Sequence, residues 1–271
     1  MHPLIDSHCH WDDPRLQALQ PQLWQSCVTQ GVQQLVVPGT QKAFFARQIT
    51  LCEQNPLWHL ALGLHPYFSD QHRTQHLLDL ARAIDDHQPV AVGEIGLDFV
   101  VDTTLQGFSN TEQERWFIAQ VELAKQANLP IILHSRKAND RLGQLLRQLK
   151  FDRGGIVHGF SGSLQQAQKF TQLGFKIGFG GTLTYDRAQA MRRLAASLPL
   201  TDIVLETDAP YMPMAGQPKD QPNQPDKLPR VLEVLGAVRP EPAAQIAMQT
   251  MANTLDVLNL NKLPLTSSAY L

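Results

Sequence analysis

Histidine and carboxylate residues stand at spacings from which they could bind divalent metal ions. The first pair, His8 and His10, is separated by a single residue directly after a short apolar run. Alternate side chains of a strand point to the same face, so both imidazoles can reach one ion while Cys9 points away. A His-x-His pair is common by chance, and alone it is more often a polar strand end than a metal site.

Four more candidate ligands end apolar runs later in the chain, namely Glu94, His134, His158 and Asp208. Taken singly, each has a simpler interpretation, such as a buried histidine with a hydrogen-bond partner, an ion-paired carboxylate or a turn cap. Glu206 is an alternative to Asp208, because the two residues alternate along one strand. The deeper position of Glu206 in that strand favours Asp208.

Eight apolar, β-branched runs predict the strands that would carry these residues. The runs are 4–7, 34–38, 59–64, 89–94, 130–134, 155–158, 175–179 and 202–206. Most are continuous rather than alternating, as expected for strands that are buried on both faces. Helical patterns lie between them, one over residues 16–29 and one behind a capping box that begins at Thr111. Two further helices close the chain.

Strands that alternate with helices in this way predict the α/β class and, more specifically, a (β/α)8 TIM barrel with extra C-terminal helices. We expect residues 1–271 to form a single domain. An open doubly wound sheet is the alternative, but the Gly-rich phosphate loop typical of that fold is missing after the first strand. In a barrel, the C-terminal ends of all strands meet at one mouth, so the candidate ligands would converge there.

Four imidazoles and two carboxylates exceed what one catalytic zinc ion needs. They predict two divalent ions that share a carboxylate. The expected ligands are His8, His10, Glu94 and Asp208 for the first ion and Glu94, His134 and His158 for the second. Mixed ligation of this kind suits Zn, Mn, Co or Mg without choosing among them. Two ions about 3.5–4 Å apart are typical of enzymes that hydrolyse phosphate esters with a metal-activated water.

Net charge, cysteine content and the length of apolar stretches limit the classes of function and the cellular location. The formal net charge is -2, so there is no basic field that would hold nucleic acid non-specifically. The cysteines, Cys9, Cys27 and Cys52, form no disulfide framework, and no apolar stretch is long enough for a signal peptide or a membrane span. We therefore expect a cytoplasmic protein with no membrane association and no obligate protein partner.

Six motifs occur in order between residues 6 and 210. They are Asp6-Ser7-His8-Cys9-His10, Gly63-Leu64-His65-Pro66, Gly93-Glu94-Ile95-Gly96-Leu97-Asp98, Leu133-His134-Ser135-Arg136, His158-Gly159-Phe160-Ser161-Gly162 and Glu206-Thr207-Asp208-Ala209-Pro210. Together they resemble the motifs of the TatD family of metal-dependent deoxyribonucleases, within the amidohydrolase-like barrels. The resemblance implies hydrolysis of DNA phosphodiester bonds, often as an exonuclease, with metal at the six positions above. It also implies that His65 binds substrate phosphate or transfers protons.

The sequence departs from the family pattern at positions near the expected substrate. Tyr67 stands where a second histidine often follows His-Pro, and Phe99 stands where a tyrosine is common. In the loop after the last strand, the family's Arg-Asn becomes Pro222-Asn223. The metal ligands therefore match the family, while the residues around the substrate differ.

The leading hypothesis is a deoxyribonuclease that acts on DNA ends. In it, Asp208 accepts the proton of the attacking water, while Arg136 and the Ser161–Gly162 turn hold the phosphate through charge and backbone N–H groups. The alternative is hydrolysis of a small ester, lactone or amide, including aminoacyl linkages. A metal-stabilised binding module is disfavoured, because structural zinc sites are closed by four ligands. Trp11, at the same mouth, would either stack on a base or pack against the following loop.

Overall fold

The structure, a computed structural model, describes residues 2–100, 109–218 and 220–262. Within these ranges, eight parallel strands form one sheet in sequential order. They are β1 (Leu4–Asp6), β2 (Val32–Pro38), β3 (Trp58–Leu62), β4 (Ala91–Asp98), β5 (Ile131–Arg136), β6 (Gly155–Val157), β7 (Phe175–Phe179) and β8 (Ile203–Leu205). Every predicted apolar run overlaps one of these strands, and the predicted TIM barrel is confirmed.

The sheet closes on itself where β8 meets β1. The backbone N–H of Ser7 donates to the carbonyl of Leu205 at 3.0 Å, and that of Asp208 donates to the carbonyl of His8 at 2.9 Å. Because all strands run parallel, their C-terminal ends surround one mouth of the barrel. The segments that follow β1 and β8 therefore lie side by side.

Helices surround the strands. In the described ranges they are α1 (Pro14–Gln17), α2 (Gln20–Thr29), α3 (Phe45–Glu53), α4 (Thr74–His87), α5 (Asn110–Gln126), α6 (Asn139–Gln148), α7 (Leu164–Thr171), α8 (Gln189–Ser197), α9 (Leu228–Val238) and α10 (Ala243–Val257). The single helix predicted over residues 16–29 is wrong, because Pro14 and Pro21 each lie in the first turn of a separate helix. The capping box at Thr111 is also wrong. Ser109 caps α5, and its hydroxyl accepts the N–H of Glu112 at 3.4 Å.

The apolar core has an outer layer between strands and helices and an inner layer inside the barrel. Seven of the described strands each contribute one apolar residue to the inner layer, namely Ile5, Val36, Ala61, Ala91, Ile132, Ile156 and Val204. Strand β7 has Gly178, where an added Cβ would lie only 2.3 Å from Glu206 Oε2. Glycine at this position therefore makes room for a buried carboxylate above the apolar layer.

The C-terminal helix closes the end of the barrel opposite the mouth. Asn253 of α10 donates its Nδ2 to the carbonyls of Leu200 and Ile203, at 2.8 and 2.7 Å, where β8 begins. Leu258 and Leu260, just beyond α10, pack on the inner apolar layer. The extra C-terminal helices are thus confirmed. No helix in the described part of the chain is long and apolar enough to cross a membrane.

Candidate metal centre

The segment that carries His8 is fixed by the seam between β1 and β8. Asp6, buried at the end of β1, accepts the backbone N–H of His8 at 3.2 Å and that of Thr207 at 2.9 Å. The hydroxyl of Thr207 donates to the other carboxylate oxygen of Asp6 at 2.5 Å. Burial raises the pKa of Asp6 to about 7, although the hydrogen bonds from Thr207 and His8 act in the opposite direction. Asp6 therefore holds the ends of both strands together.

Asp208 reaches the same point from β8. Its φ of +55° lies in the left-handed region that residues other than glycine adopt uncommonly. In this conformation, Asp208 Oδ1 lies 3.6 Å from His8 Nε2 and 3.3 Å from His10 Nε2. The carboxylate therefore faces both histidines that follow β1.

Glu94 projects from β4 into the centre of the mouth, where it is buried. Its Oε2 lies 3.2 Å from Nε2 of His8 and 3.6 Å from Nε2 of His10. Its Oε1 lies 2.7 Å from Nε2 of His158 and 2.9 Å from Nδ1 of His134. The two oxygens of one carboxylate thus face two different pairs of histidines.

His65 also contacts Glu94, but its hydrogen bonds give it a different role from the other histidines. Its Nδ1 accepts the backbone N–H of Tyr67 at 3.0 Å, so this nitrogen carries no proton. In the neutral ring the proton must then be on Nε2, which lies 2.9 Å from Glu94 Oε1. Burial lowers the pKa of His65, which favours the neutral ring. His65 is therefore set up as a hydrogen-bond donor rather than as a metal ligand.

Two further carboxylates lie behind the second pair of histidines. Asp98 Oδ2 is 3.1 Å from His134 Nε2, so Asp98 would accept the Nε2 proton and leave Nδ1 to ligate a bound ion. Glu206 Oε1 is 3.8 Å from His158 Nδ1 and accepts the backbone N–H of Gly159. Outer carboxylates of this kind orient ligating histidines in metalloenzymes.

Sequence reasoning missed Asp98 and treated Glu206 only as a rival of Asp208. A signal was present, since Asp98 follows Glu94 at an even spacing in the same strand, and Glu206 precedes Asp208 by two residues. That spacing could not reveal which carboxylate points at the metal site and which lies behind a histidine.

Charge and burial set the protonation of the cluster. Burial acts against the ionised form of Glu94, but His158, His65 and His8 outweigh it and hold the pKa well below its usual range. Burial also acts against the charged form of His158, but the Glu94 carboxylate raises this pKa to about 10. Burial and the charge of His158 lower the pKa of His8 to about 4. Near neutral pH and without bound ions, Glu94 is ionised, His158 protonated and His8 neutral.

The donor set fits divalent cations. His8 Nε2 and Asp208 Oδ1 are buried, yet neither has a hydrogen-bond partner in the described part of the chain. Such atoms are costly unless an ion or water completes their interactions. Among residues 2–100, 109–218 and 220–262, three groupings have ligand atoms within 4.8 Å of one another, and they are His8–His158–Asp208, His8–His10–Glu94 and His65–Glu94–His134. Neutral imidazole and carboxylate ligands suit Zn, Mn or Co.

A cleft with a volume of about 570 Å³ opens above this cluster. Its lining combines candidate ligands with polar and aromatic residues from the loops after β2, β3 and β8. The lining residues are His10, Thr40, His65, Tyr67, Phe68, Glu94, His134, His158, Asp208 and Tyr211. The structure therefore brings all six predicted ligands and His65 to one site, with His8 beneath the lining at no exposure.

The residues expected to hold phosphate lie farther out. The Arg136 side chain is 57% exposed, and its guanidinium Nη1 is 3.8 Å from Asp98 Oδ2. Ser161 lines a separate depression beside α6, where its carbonyl accepts Nδ2 of Asn139 at 2.9 Å. Gly162 lies in the same turn, and a Cβ there would lie 2.6 Å from Asn139 Nδ2. None of these three residues is among those that line the cleft, and Arg136 approaches the cluster only through Asp98.

Two expectations about the mouth are resolved by burial. Trp11 is fully buried and packs edge-on against Trp58, so its stacking on a base is wrong and the packing interpretation is confirmed. Asn223, which the sequence retains from the family pattern, is also buried. Its Nδ2 donates to the carbonyls of Thr207 and Met212, at 2.9 and 3.2 Å. It therefore holds the long loop after β8 against the site.

The family model described as TatD related DNase matches residues 5–259. The chain is 43% identical over 259 residues to the uncharacterized metal-dependent hydrolase YjjV of Escherichia coli (strain K12), an alignment that covers 94% of this chain and 98% of that protein. The crystal structure of the same TatD homolog superposes with a TM-score of 0.89, again covering 94% and 98% of the two chains.

A second similar protein is the 3'-5' ssDNA/RNA exonuclease TatD of Erwinia tasmaniensis. It is 31% identical over 238 residues, which are 85% of this chain and 90% of that protein. The match to the family model, over residues 5–259, includes every candidate ligand. The family is therefore shown by sequence as well as by fold.

Proposed function

The chain belongs to the family of TatD related DNases, and from that premise we propose that it is a two-metal phosphodiesterase that trims the ends of nucleic-acid strands. It is a metal-dependent hydrolase, an enzyme that acts on ester bonds. We propose in addition that it holds two ions, acts on nucleic acid and cleaves as an exonuclease.

The observation that carries the proposal is the division of Glu94 between two groups of histidines. Oε2 of Glu94 faces His8 and His10, and Oε1 faces His134 and His158. A carboxylate that bridges two ions presents its oxygens in this manner. We assign His8, His10, Glu94 and Asp208 to one ion and Glu94, His134 and His158 to the other. Bound divalent ions would lower the pKa of water and offset charge on the phosphate.

Asp208 is the proposed proton acceptor. Burial raises the pKa of this carboxyl, but His10, whose Nε2 lies 3.3 Å from Oδ1, and the charges of the nearby histidines outweigh burial and hold the pKa below its usual range. Asp208 is therefore ionised near neutral pH and can accept a proton from the attacking water. As the water oxygen bonds to phosphorus, the bond from phosphorus to the leaving oxygen breaks.

His65 is the proposed donor to the substrate. The proton on its Nε2 is shared with Glu94 and lies at the floor of the cleft. A phosphate oxygen or the leaving oxygen is an alternative acceptor for that proton. We expect Arg136 and the Ser161–Gly162 turn to hold phosphate groups farther from the reacting centre.

The names of similar proteins support the nucleic-acid substrate, and the charge of the chain supports action at strand ends. Relatives that match most of the chain are named 3'-5' ssDNA/RNA exonucleases. The net charge of -2 disfavours binding along an extended stretch of nucleic acid. A strand end that enters a single cleft needs few phosphate contacts, which agrees with an exonuclease.

The experiment is a nuclease assay on protein freed of metal and then supplied with Mg, Mn or Zn. We expect release of mononucleotides from single-stranded DNA or RNA only after metal is added. A panel of small esters, lactones and amides is assayed beside the nucleic acids. Clear preference for a carbonyl substrate would overturn the proposed function in favour of the small-molecule alternative.

A further inference from the structure

Two exposed tyrosines stand on the walls of the cleft. Tyr67 is 46% exposed and Tyr211 is 45% exposed, and both line the cleft above Glu94. Tyr67 follows β3 and Tyr211 follows β8. In the sequential barrel, these strands are separated by β1 and β2. The two rings therefore approach the metal centre from different sides of the mouth.

Tyr211 is held in place by Arg15, His10 and Asp13, whose Oδ2 accepts the tyrosine hydroxyl at 3.4 Å. The guanidinium carbon of Arg15 lies 4.4 Å from the centre of its ring, and Arg15 is itself held by Asp13 through two hydrogen bonds at 2.9 and 2.8 Å. The edge of the ring contacts His10 at a centroid distance of 5.4 Å. A ring with a cation over one face and an exposed remainder is a preorganised surface for another flat group.

Tyr67 is held by a neighbouring aromatic residue. Its ring packs edge-on against Phe68 at a centroid distance of 5.1 Å. Its backbone N–H, rather than its side chain, contacts His65. The side chain can therefore be changed without removing the hydrogen bond that sets the His65 proton.

We propose that Tyr67 and Tyr211 stack on the unpaired bases next to the scissile phosphate and so determine the substrate class as single-stranded nucleic acid. This inference rests on the proposed function. Stacking on aromatic side chains is tolerant of sequence and needs bases that are free of a duplex partner. The buried Trp11 cannot stack on a base. Tyr67 and Tyr211 are exposed and line the described cleft.

The test compares two substrates with the same phosphates. One is a single-stranded DNA hexamer, and the other is the same hexamer with abasic residues in place of the two terminal nucleotides at each end. We expect the metal-loaded protein to cleave the complete hexamer with a kcat/KM about tenfold higher than the abasic one. Tyr67→Ala and Tyr211→Ala should each reduce this ratio severalfold, chiefly through KM.

Conservative variants separate stacking from other roles of these side chains. Tyr67→Phe and Tyr211→Phe keep the ring and should keep the ratio. Leu78→Ala, at a residue that is 54% exposed on α4 away from the cleft, serves as the surface control. Fluorescence anisotropy with a phosphorothioate hexamer gives a binding readout that does not depend on turnover, and the alanine variants should bind it several times more weakly.

The outcomes distinguish this inference from the proposed function. If the unmodified protein cleaves neither hexamer, the proposed function fails and the inference fails with it. If it cleaves both at equal rates, or if the alanine variants keep the full ratio and affinity, stacking by these tyrosines is wrong while the nuclease assignment stands. A ratio that falls in the alanine variants and persists in the phenylalanine variants supports the inference.

Discussion

The buried donor cluster and the exposed rim of the same cleft are built in different ways. In the cluster, each side chain is positioned by another, so that Asp98 contacts His134 and His134 contacts Glu94. At the rim, Arg136 has one ion pair, at 3.8 Å, and Tyr67 packs on its neighbour Phe68. The candidate metal centre is therefore a coupled network, while the side chains proposed to bind substrate can change one at a time.

This difference agrees with the departure from the family pattern at Tyr67, which lines the cleft. A changed ligand in the cluster leaves its neighbours with unpaired buried charge, which is costly. Replacing a rim residue such as Tyr67 changes a side chain that is exposed to water. We therefore expect changes in the cluster to alter metal binding and catalysis together, and changes at the rim to alter substrate binding alone.

Replacement of the shared carboxylate should have the largest effect. In Glu94→Gln, one oxygen ligand is replaced by an amide nitrogen that does not bind metal. We expect activity to fall by about a thousandfold or more and bound metal, measured by elemental analysis, to fall by at least one ion per chain. Glu53→Gln, at a side chain that is 65% exposed, is the matched control. Full activity and metal content in Glu94→Gln would refute the bridging role.

Raising the pH should strengthen metal binding to the cluster. The pKa of His158 is about 10 without bound ions, because the Glu94 carboxylate outweighs the effect of burial. Below that pH an ion must displace a proton from His158, so the affinity rises as pH rises. We expect about a tenfold gain per pH unit for each proton released, measured by calorimetry with Mn²⁺ between pH 6 and 8. An affinity that does not change with pH would show that His158 is not a ligand.

The outer carboxylates, Asp98 and Glu206, should affect metal affinity without binding the metal themselves. Asp98→Asn keeps the shape of the side chain but loses the charge behind His134, and we expect metal affinity to fall by about tenfold or more. Glu206→Gln should have a smaller effect, since its oxygen is 3.8 Å from His158 Nδ1 against 3.1 Å for Asp98 and His134. Calorimetric titration of both variants measures the order. A larger loss in Glu206→Gln would reverse this ranking.

A change at the rim should have the smallest effect and leave the metal alone. Arg136→Ala removes an exposed charge that we expect to contact substrate phosphate, and KM for single-stranded DNA should rise about fivefold. Metal content should stay the same. Arg115→Ala, at a side chain that is 72% exposed on α5, is the control. Loss of bound metal in Arg136→Ala would break the proposed separation between rim and cluster.

The same comparison shows how much the sequence could predict. Continuous apolar runs predicted the strands, because burial on both faces leaves a strong pattern. Candidate ligands at strand ends, such as His134 and His158, could be found because the barrel topology brings those ends together. The role of Asp98 was missed, because a carboxylate that orients a histidine has the same spacing as one that binds metal.

The exposure of side chains at the rim could not be predicted from the sequence, for a different reason. Trp11 and Tyr211 are both aromatic, and both are close to candidate ligands in the sequence. Trp11 is nevertheless fully buried, whereas Tyr211 is 45% exposed. Their burial depends on how the loops after β1 and β8 pack, which no local pattern encodes. The buried Asn223 that holds the β8 loop was recognised only as part of a motif.

The central claim is that Glu94 joins two metal ions, and anomalous diffraction from crystals grown with Mn²⁺ or Zn²⁺ tests it most directly. We expect two anomalous peaks about 3.5–4 Å apart, with Glu94 Oε2 bound to the ion beside His8 and His10, and Oε1 bound to the ion beside His134 and His158. A single fully occupied peak, or two peaks of which only one contacts Glu94, would contradict the claim.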